Sequence, residues 1–284
     1  MYVCINGDLV TQEKACLSPF DHGYLYGVGL FETFRVYNKH PFLFDDHLER
    51  LNSGLRKLGI RVNHDRKKWL SLVSELLKVN QLEDAYVRLN VSAGAADLGL
   101  RADDYVQPTI ILFAKPLTNA IVSEKQGVFL KTVRNTPETP VRLKSHHFIN
   151  NMLAKREIGH DVWKEGIFLT EKGHVAEGIV SNVFWIKQGV AYTPAVETGI
   201  LNGVTRQFVI ALFEKHGISC RTGFYAPEHV YSADEAFMTN SIQEIVPFSE
   251  IEGKNFPGND GEITRILQDE YRIYREYLWS RKQL

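Results

Sequence analysis

The stretch GILNGVTRQFVIALFEKH (199–216) joins a glycine-containing turn to an amphipathic helix. A helix entered this way presents backbone N–H groups and the positive end of its dipole, and Thr205 adds a hydroxyl, so Val204 and Thr205 form a competent phosphate cradle. Asn202 acting as a plain N-cap is the competing reading. Upstream, VAEGIVSNVF (175–184) sets Glu177 in a strongly apolar run. A half-buried carboxylate needs a partner, and the ring N–H⁺ of a cofactor is one candidate. Downstream, Thr239-Asn240-Ser241 forms a second donor cluster that follows a strand and precedes IVPF. Around these pieces the apolar pattern predicts strands near 128–134, 166–170, 175–177, 182–186, 190–193 and 235–239. Helices are predicted over 145–158, 203–216 and 262–279.

The first half also mixes strands and helices. YVCIN (2–6) ends in a turn signal, and Phe31 to Tyr37 followed by Asn38-Lys39-His40 and PFLF reads as a hairpin. Leu48, Leu51, Leu55 and Leu58 recur with helical spacing, with Gly59 suited to the position after the helix end. A second helix is expected over 65–79 with Trp69, Leu72, Val73, Leu76 and Leu77 on one face. Strands follow at 85–92 and 109–114, and Lys115-Pro116 with the polar stretch to Gln126 reads as a linker. Hairpins mixed with helices do not form repeated βαβ units. The expected fold class is α+β or mixed α/β, in two domains: a smaller one at 1–117 and a larger one at 118–284.

Composition narrows the function classes. Lys+Arg 33 against Asp+Glu 34 leaves a net charge of −1 with the signs interspersed, which argues against a basic stripe for nucleic acid. Cys4, Cys16 and Cys220 form no C-x-x-C pair, so a cytoplasmic, reducing location is expected. The start lacks a secretory pattern, and runs such as IILFA (110–114) are too short to span a bilayer. Gly27-Val-Gly29 has Glu at 32 where a dinucleotide fingerprint needs glycine, and no G-x-S-x-G elbow occurs. Asp45-Asp46-His47 and His146-His147 offer ligand types without metal-site spacing, so no metal is expected.

The run RLKSHHFINNMLAKRE (142–157) places Lys144 at or just before a predicted helix whose buried face would be Phe148, Ile149, Met152 and Leu153. A lysine turned into a cleft, its pKa lowered by burial or a neighbouring cation, becomes a Schiff-base nucleophile. A phosphate cradle, a lysine open to activation and an apolar carboxylate thus stand along one chain.

In order along the chain, SPFDHGYLYGVGLFETFRVY (18–37), HLERL (47–51), the Lys144 run, EGIVSNVF (177–184), a Thr-Pro and GILNGVTR (199–206) resemble the signature of fold-type IV pyridoxal-phosphate enzymes. That class includes branched-chain and D-amino acid aminotransferases and aminodeoxychorismate lyases. The likeness covers essentially the whole chain and is strongest to the bacterial lyases. It implies a homodimer with the cofactor between two domains and a small-molecule substrate. It implies that Lys144 joins the cofactor aldehyde and then serves as the catalytic base. Arg50, Val204, Thr205, Asn240 and Ser241 would hold the phosphate, and Glu177 would pair with the pyridine nitrogen. Phe31 falls where some relatives carry tyrosine. Arg35 is a candidate for a substrate carboxylate, with a structural ion pair as the alternative, and Arg88 joins the substrate-binding candidates. The activity implied is conversion of 4-amino-4-deoxychorismate to 4-aminobenzoate and pyruvate, and transamination of D- or branched-chain amino acids is the alternative. Ala93 stands where the D-amino acid enzymes carry an arginine in V-T-R-G, and the G-G-N-Y run of branched-chain enzymes is missing after the lysine.

Overall fold

The computed structural model describes residues 1–117 and 123–284. It divides into two compact units, Met1–Thr118 with Lys144–His147 and Arg275–Gln283, and Asn119–Leu143 with Phe148–Tyr274 and Leu284. Two short segments that a single cut near residue 117 leaves in the second half thus belong to the first unit. The linker expected over 115–126 falls partly on 118–122, outside the described residues; its first two residues end one strand and its last two begin another.

The first unit is an antiparallel sheet with its two long helices on one face. Its strands are β1 (Tyr2–Ile5), β2 (Asp8–Thr11), β3 (Gly29–Tyr37), β4 (His40–Pro41), β5 (Ala85–Ser92) and β6 (Thr109–Pro116), in the order β2-β1-β6-β5-β3-β4. Its helices are α1 (His22–Tyr26), α2 (Phe44–Lys57) and α3 (Arg66–Val79). Register and pleat sort the side chains. Leu30, Glu32 and Phe34 lie opposite Val91, Leu89 and Val87 on the buried face, while Phe31, Thr33 and Arg35 lie opposite Asn90, Arg88 and Tyr86 on the other. The Leu48, Leu51 and Leu55 stripe of α2 and the full predicted stripe of α3 are buried.

The hairpin expected to run through PFLF stops at Pro41, because only His40 and Pro41 pair with β3. Asn38 and Lys39, both at positive φ, make the tight turn, and Leu43 then becomes the N-cap of α2 with φ 53°. The Leu43 and Asp45 amides donate to the carbonyls of Leu278 and Trp279, which ties the C-terminal segment to this unit. Residues 144–146 are extended rather than helical. Ser145 bridges Leu30 antiparallel, the Phe31 amide donates to the Lys144 carbonyl at 2.9 Å, and the His146 amide donates to the Gly29 carbonyl at 3.1 Å.

The second unit holds β7 (Lys125–Phe129), β8 (Lys164–Leu169), β9 (Val175–Gly178), β10 (Asn182–Lys187), β11 (Val190–Pro194), β12 (Cys220–Gly223), β13 (Glu235–Asn240), β14 (Glu244–Ile251) and β15 (Lys254–Asn255). The main order is β12-β11-β10-β13-β14-β7-β8-β9, with β15 on β14. It is a mixed sheet: β11/β12, β14/β7 and β7/β8 are parallel, the rest antiparallel. Its helices are α4 (Ile149–Ile158), α5 (Val204–Lys215), α6 (Pro227–Tyr231) and α7 (Glu262–Tyr274). Phe208, Val209, Leu212 and Phe213 of α5 are buried, and Phe184 stacks on Phe237 at 5.2 Å beside Phe213.

The α4 expectation is corrected. The helix starts at Ile149, not 145, and the residues expected to be buried are exposed, Ile149 most of all at 71%. Asn151 and Ala154 face inward instead. Asn151 donates to the Ile179 carbonyl, and Asn150 accepts from Arg134 and donates to the Val133 carbonyl. Satisfying these amides sets the helix rotation against the apolar pattern. The strand expected at 128–134 is β7, shifted to Lys125–Phe129. The last helix ends at Tyr274 rather than near 279, and β12 and β14 carry no expectation from the pattern.

Candidate active site

On the sheet face of the first unit away from α2 and α3, Phe31 is the centre. The Arg88 guanidinium carbon lies 3.7 Å from its ring centroid and Lys144 Nζ 4.5 Å, and the His146 ring stacks at 6.4 Å and 29°. Such cation–ring contacts are favourable because the ring face is electron-rich. Arg88 Nε donates to Asn90 Oδ1 at 3.1 Å. Arg35 lies two residues along β3 from Thr33, the partner of Arg88, with its guanidinium 4.7 Å from the Tyr37 ring. Lys144, Phe31, Arg88 and Arg35 thus share one sheet face. Alternation explains it: residues 144–146 pair with Gly29–Phe31, so Lys144 takes the same side as Phe31.

Arg50 enters from α2 and forks onto Glu32, Nε to Oε1 at 2.7 Å and Nη2 to Oε2 at 2.6 Å. His47 Nδ1 reaches the same Oε2 at 2.6 Å. Burial alone raises a carboxyl's pKa, but Arg50 and then His47 hold Glu32 down to about 2. With Glu32 ionised, His47 Nδ1 is the donor, and burial keeps the pKa of His47 below its usual value. The chain readily places Glu32 here because it alternates with Leu30, Phe34 and Val36. A lone charge on the apolar side of a strand was the available signal, and sequence reasoning missed it.

In the second unit, α5 begins without a side-chain cap. Its N-cap is Gly203, and Asn202 Oδ1 accepts from Arg206 Nη1 at 2.9 Å, so the plain-cap reading of Asn202 is corrected. A Cβ at Gly203 would come 2.2 Å from Asn182 Oδ1, so a side chain here would have to displace the buried Asn182 carboxamide. Val204 and Thr205 are buried at the helix start, and Thr205 Oγ1 lies 3.4 Å from Ser241 Oγ. Asn240 precedes Ser241 at the end of β13. Its Oδ1 accepts from the amides of Ile242 and Gln243 at 3.0 and 2.7 Å, so its carboxamide shapes the turn that carries Ser241.

Glu177 is buried. Its Oε1 accepts from Arg134 Nε at 2.8 Å, with Arg142 Nε at 3.9 Å, and its Oε2 accepts from the Leu201 amide at 2.9 Å. Burial pushes its pKa up against the pull of both arginines, and burial followed by Arg134 brings Arg142 down to about 10. Sequence reasoning assigned neither arginine, since 43 residues separate Arg134 from its partner.

A family model described as amino-transferase class IV matches residues 29–251, most of the chain. The chain belongs to this family. Among class IV relatives, it is 50% identical to the aminodeoxychorismate lyase of Bacillus subtilis (strain 168) over 95% of this chain and 93% of that protein. The structure of 4-amino-4-deoxychorismate lyase from Pseudomonas aeruginosa superposes with a TM-score of 0.86 at 26% identity, covering 97% of this chain and all of that one. A T.th. branched-chain amino acid aminotransferase, solved with pyridoxamine 5'-phosphate, superposes with a TM-score of 0.85 at 26% identity, covering 97% and 95%. The mixed-sheet fold of this chain is therefore the class IV fold. No described helix is long and apolar enough to cross a membrane.

Proposed function

We propose that this class IV protein is an aminodeoxychorismate lyase that uses pyridoxal 5'-phosphate to convert 4-amino-4-deoxychorismate to 4-aminobenzoate and pyruvate. The observation that carries the proposal is the face on which Lys144 stands with Arg88 and Arg35, a primary amine set among cations for a substrate bearing two carboxylates. The 50% identity to the Bacillus subtilis lyase supports it. The residues present fit the cofactor: a lysine amine, a helix N-terminus without a side-chain cap beside two hydroxyls, and a buried carboxylate.

When bound, pyridoxal phosphate supplies an aldehyde for an amine and a ring that spreads the charge of a deprotonated carbon. Lys144 would hold it covalently and then take the proton from the amine-bearing carbon of the substrate. The start of α5 with Val204, Thr205 and Ser241 would cradle the phosphate, Asn240 would keep Ser241 in place, and Arg50, aimed by Glu32, would supply the countercharge. Glu177, oriented by Arg134 and the Leu201 amide, would keep the ring nitrogen protonated. Arg88 and Arg35 would bind the substrate carboxylates, with Phe31 as the apolar floor beneath them.

A homodimer and a cytoplasmic location belong to the same proposal. The exposed apolar side of α4 supports pairing of two copies, and three free thiols suit a reducing compartment. The deciding assay compares kcat/KM for 4-aminobenzoate formation with that for D-alanine or leucine plus 2-oxoglutarate. Ala93 offers no carboxylate clamp, so transamination is expected at least ~100-fold slower, the factor that ~2.7 kcal/mol of lost transition-state binding implies. Transamination equal to or faster than 4-aminobenzoate formation would make this chain an aminotransferase.

A further inference from the structure

Residues 144–146 lie antiparallel to Gly29–Phe31, so Lys144 and His146 stand on the same side, one residue apart. Lys144 Nζ lies 4.5 Å and the His146 ring 6.4 Å from the Phe31 ring centroid. The imidazole is nested against the backbone of β3: a Cβ at Gly29 would come 2.4 Å from His146 Cε1. Nδ1, the ring nitrogen on the Gly29 side, faces the Leu30 carbonyl, while Nε2 is buried with no partner among the described residues. The bond to Leu30 therefore comes from Nδ1–H, and Nε2 keeps its lone pair. A buried acceptor without a donor is unfavourable unless something brings a proton to it.

We propose that His146 is a second proton-transfer residue, the group that relieves Lys144 of the proton taken from the substrate. This rests on the lyase reading above. The elimination moves one proton from the amine-bearing ring carbon to the departing three-carbon fragment. Lys144 takes that proton and becomes an ammonium. It must be a neutral amine again before it can act as a nucleophile. Transfer of a proton from Nζ to Nε2 of His146 restores it and creates an imidazolium that still donates from Nδ1 to Leu30. As the ring carbon–oxygen bond breaks, its electron pair goes to the oxygen of the enolpyruvate. The imidazolium then protonates the methylene carbon of that fragment, giving the methyl group of pyruvate and a neutral His146. No oxidant or reductant is needed.

The surroundings suit a neutral resting state. Burial, the Arg88 cation and His147 disfavour the charged ring, against Asp21 and the Leu30 carbonyl, and hold its pKa below 6.5. The test is His146→Asn, whose side-chain amide can keep the bond to Leu30 but has nothing at Nε2. The cofactor-loaded variant should lose about 10²-fold in kcat at unchanged KM, the usual scale for one acid–base group. It should also lose the acid-side fall in kcat, which burial and Arg88 set at a pH below the ordinary histidine range, and added imidazole should restore part of the rate. Borohydride should still fix the cofactor on Lys144. Nitrogen NMR of the purified wild-type protein should show His146 protonated at Nδ1 and bare at Nε2. A proton on Nε2, an unchanged kcat and pH profile, or a folded variant that imidazole does not rescue would overturn the role of His146. Wild-type protein that makes no 4-aminobenzoate would overturn the lyase reading itself, whereas a wild type that makes it and a variant that matches it would overturn His146 alone.

Discussion

Glu32→Gln probes the ion pair that aims Arg50. In the folded protein the Glu32 carboxyl is held at about 2 against an ordinary 4.5, a difference of about 2.5. At about 1.36 kcal/mol for each unit of pKa, this corresponds to roughly 3 kcal/mol of stability. Because the folded value is depressed, that contribution is fully present above pH 4.5 and drains away as the pH falls toward 2. About 2 kcal/mol of it remains at pH 3.5. The introduced amide is the same size as the carboxyl and can still accept from Arg50, so the backbone needs no adjustment. It cannot balance the half-buried guanidinium. Urea unfolding of both proteins at pH 7 and pH 3.5 should therefore show a gap of about 3 kcal/mol that narrows by about 1.4 kcal/mol at the lower pH. The same variant should release pyridoxal phosphate faster on dialysis, since the Arg50 fork loses one anionic anchor. A gap that is constant between the two pH values would show that Glu32 is not held low by Arg50 and would remove the basis for treating it as the aiming residue.

Two further outcomes follow from the proposed site and assembly. Borohydride reduction of the loaded protein should fix the cofactor on the peptide containing Lys144, and Lys144→Ala should abolish turnover; label recovered on Lys131 or Lys155 would refute the assignment. Ile149→Glu, at the most exposed apolar position of α4, should shift the protein from dimer to monomer in sedimentation at unchanged helix content, and an unmoved dimer would place the interface elsewhere.

Single-residue signals and local periodicity were legible where one element explains itself. The stripes of α2 and α3 follow from 3.6-residue spacing, the β3–β4 turn from Asn38-Lys39, and the order of EGIVSNVF and GILNGVTR carries the family likeness. Lys144, Thr205, Ser241 and Glu177 were nameable for the same reason, since each sits inside a short ordered motif. Tertiary structure decided what those side chains touch. Lys144 and His146 share a face only because residues 144–146 pair with β3 instead of starting a helix, and a period of two replaces a step of 100° per residue. Glu32 meets Arg50 across 18 residues, and Glu177 meets Arg134 across 43. Such pairings leave no periodic trace, because a charge–charge contact depends on where two elements cross and not on the spacing within either. The rotation of α4 was decided in the same way. Its apolar residues describe a buried helix face, but hydrogen bonds of Asn150 and Asn151 with Val133, Arg134 and Ile179 in loops turn that face outward, since an unsatisfied buried amide costs more than an exposed isoleucine.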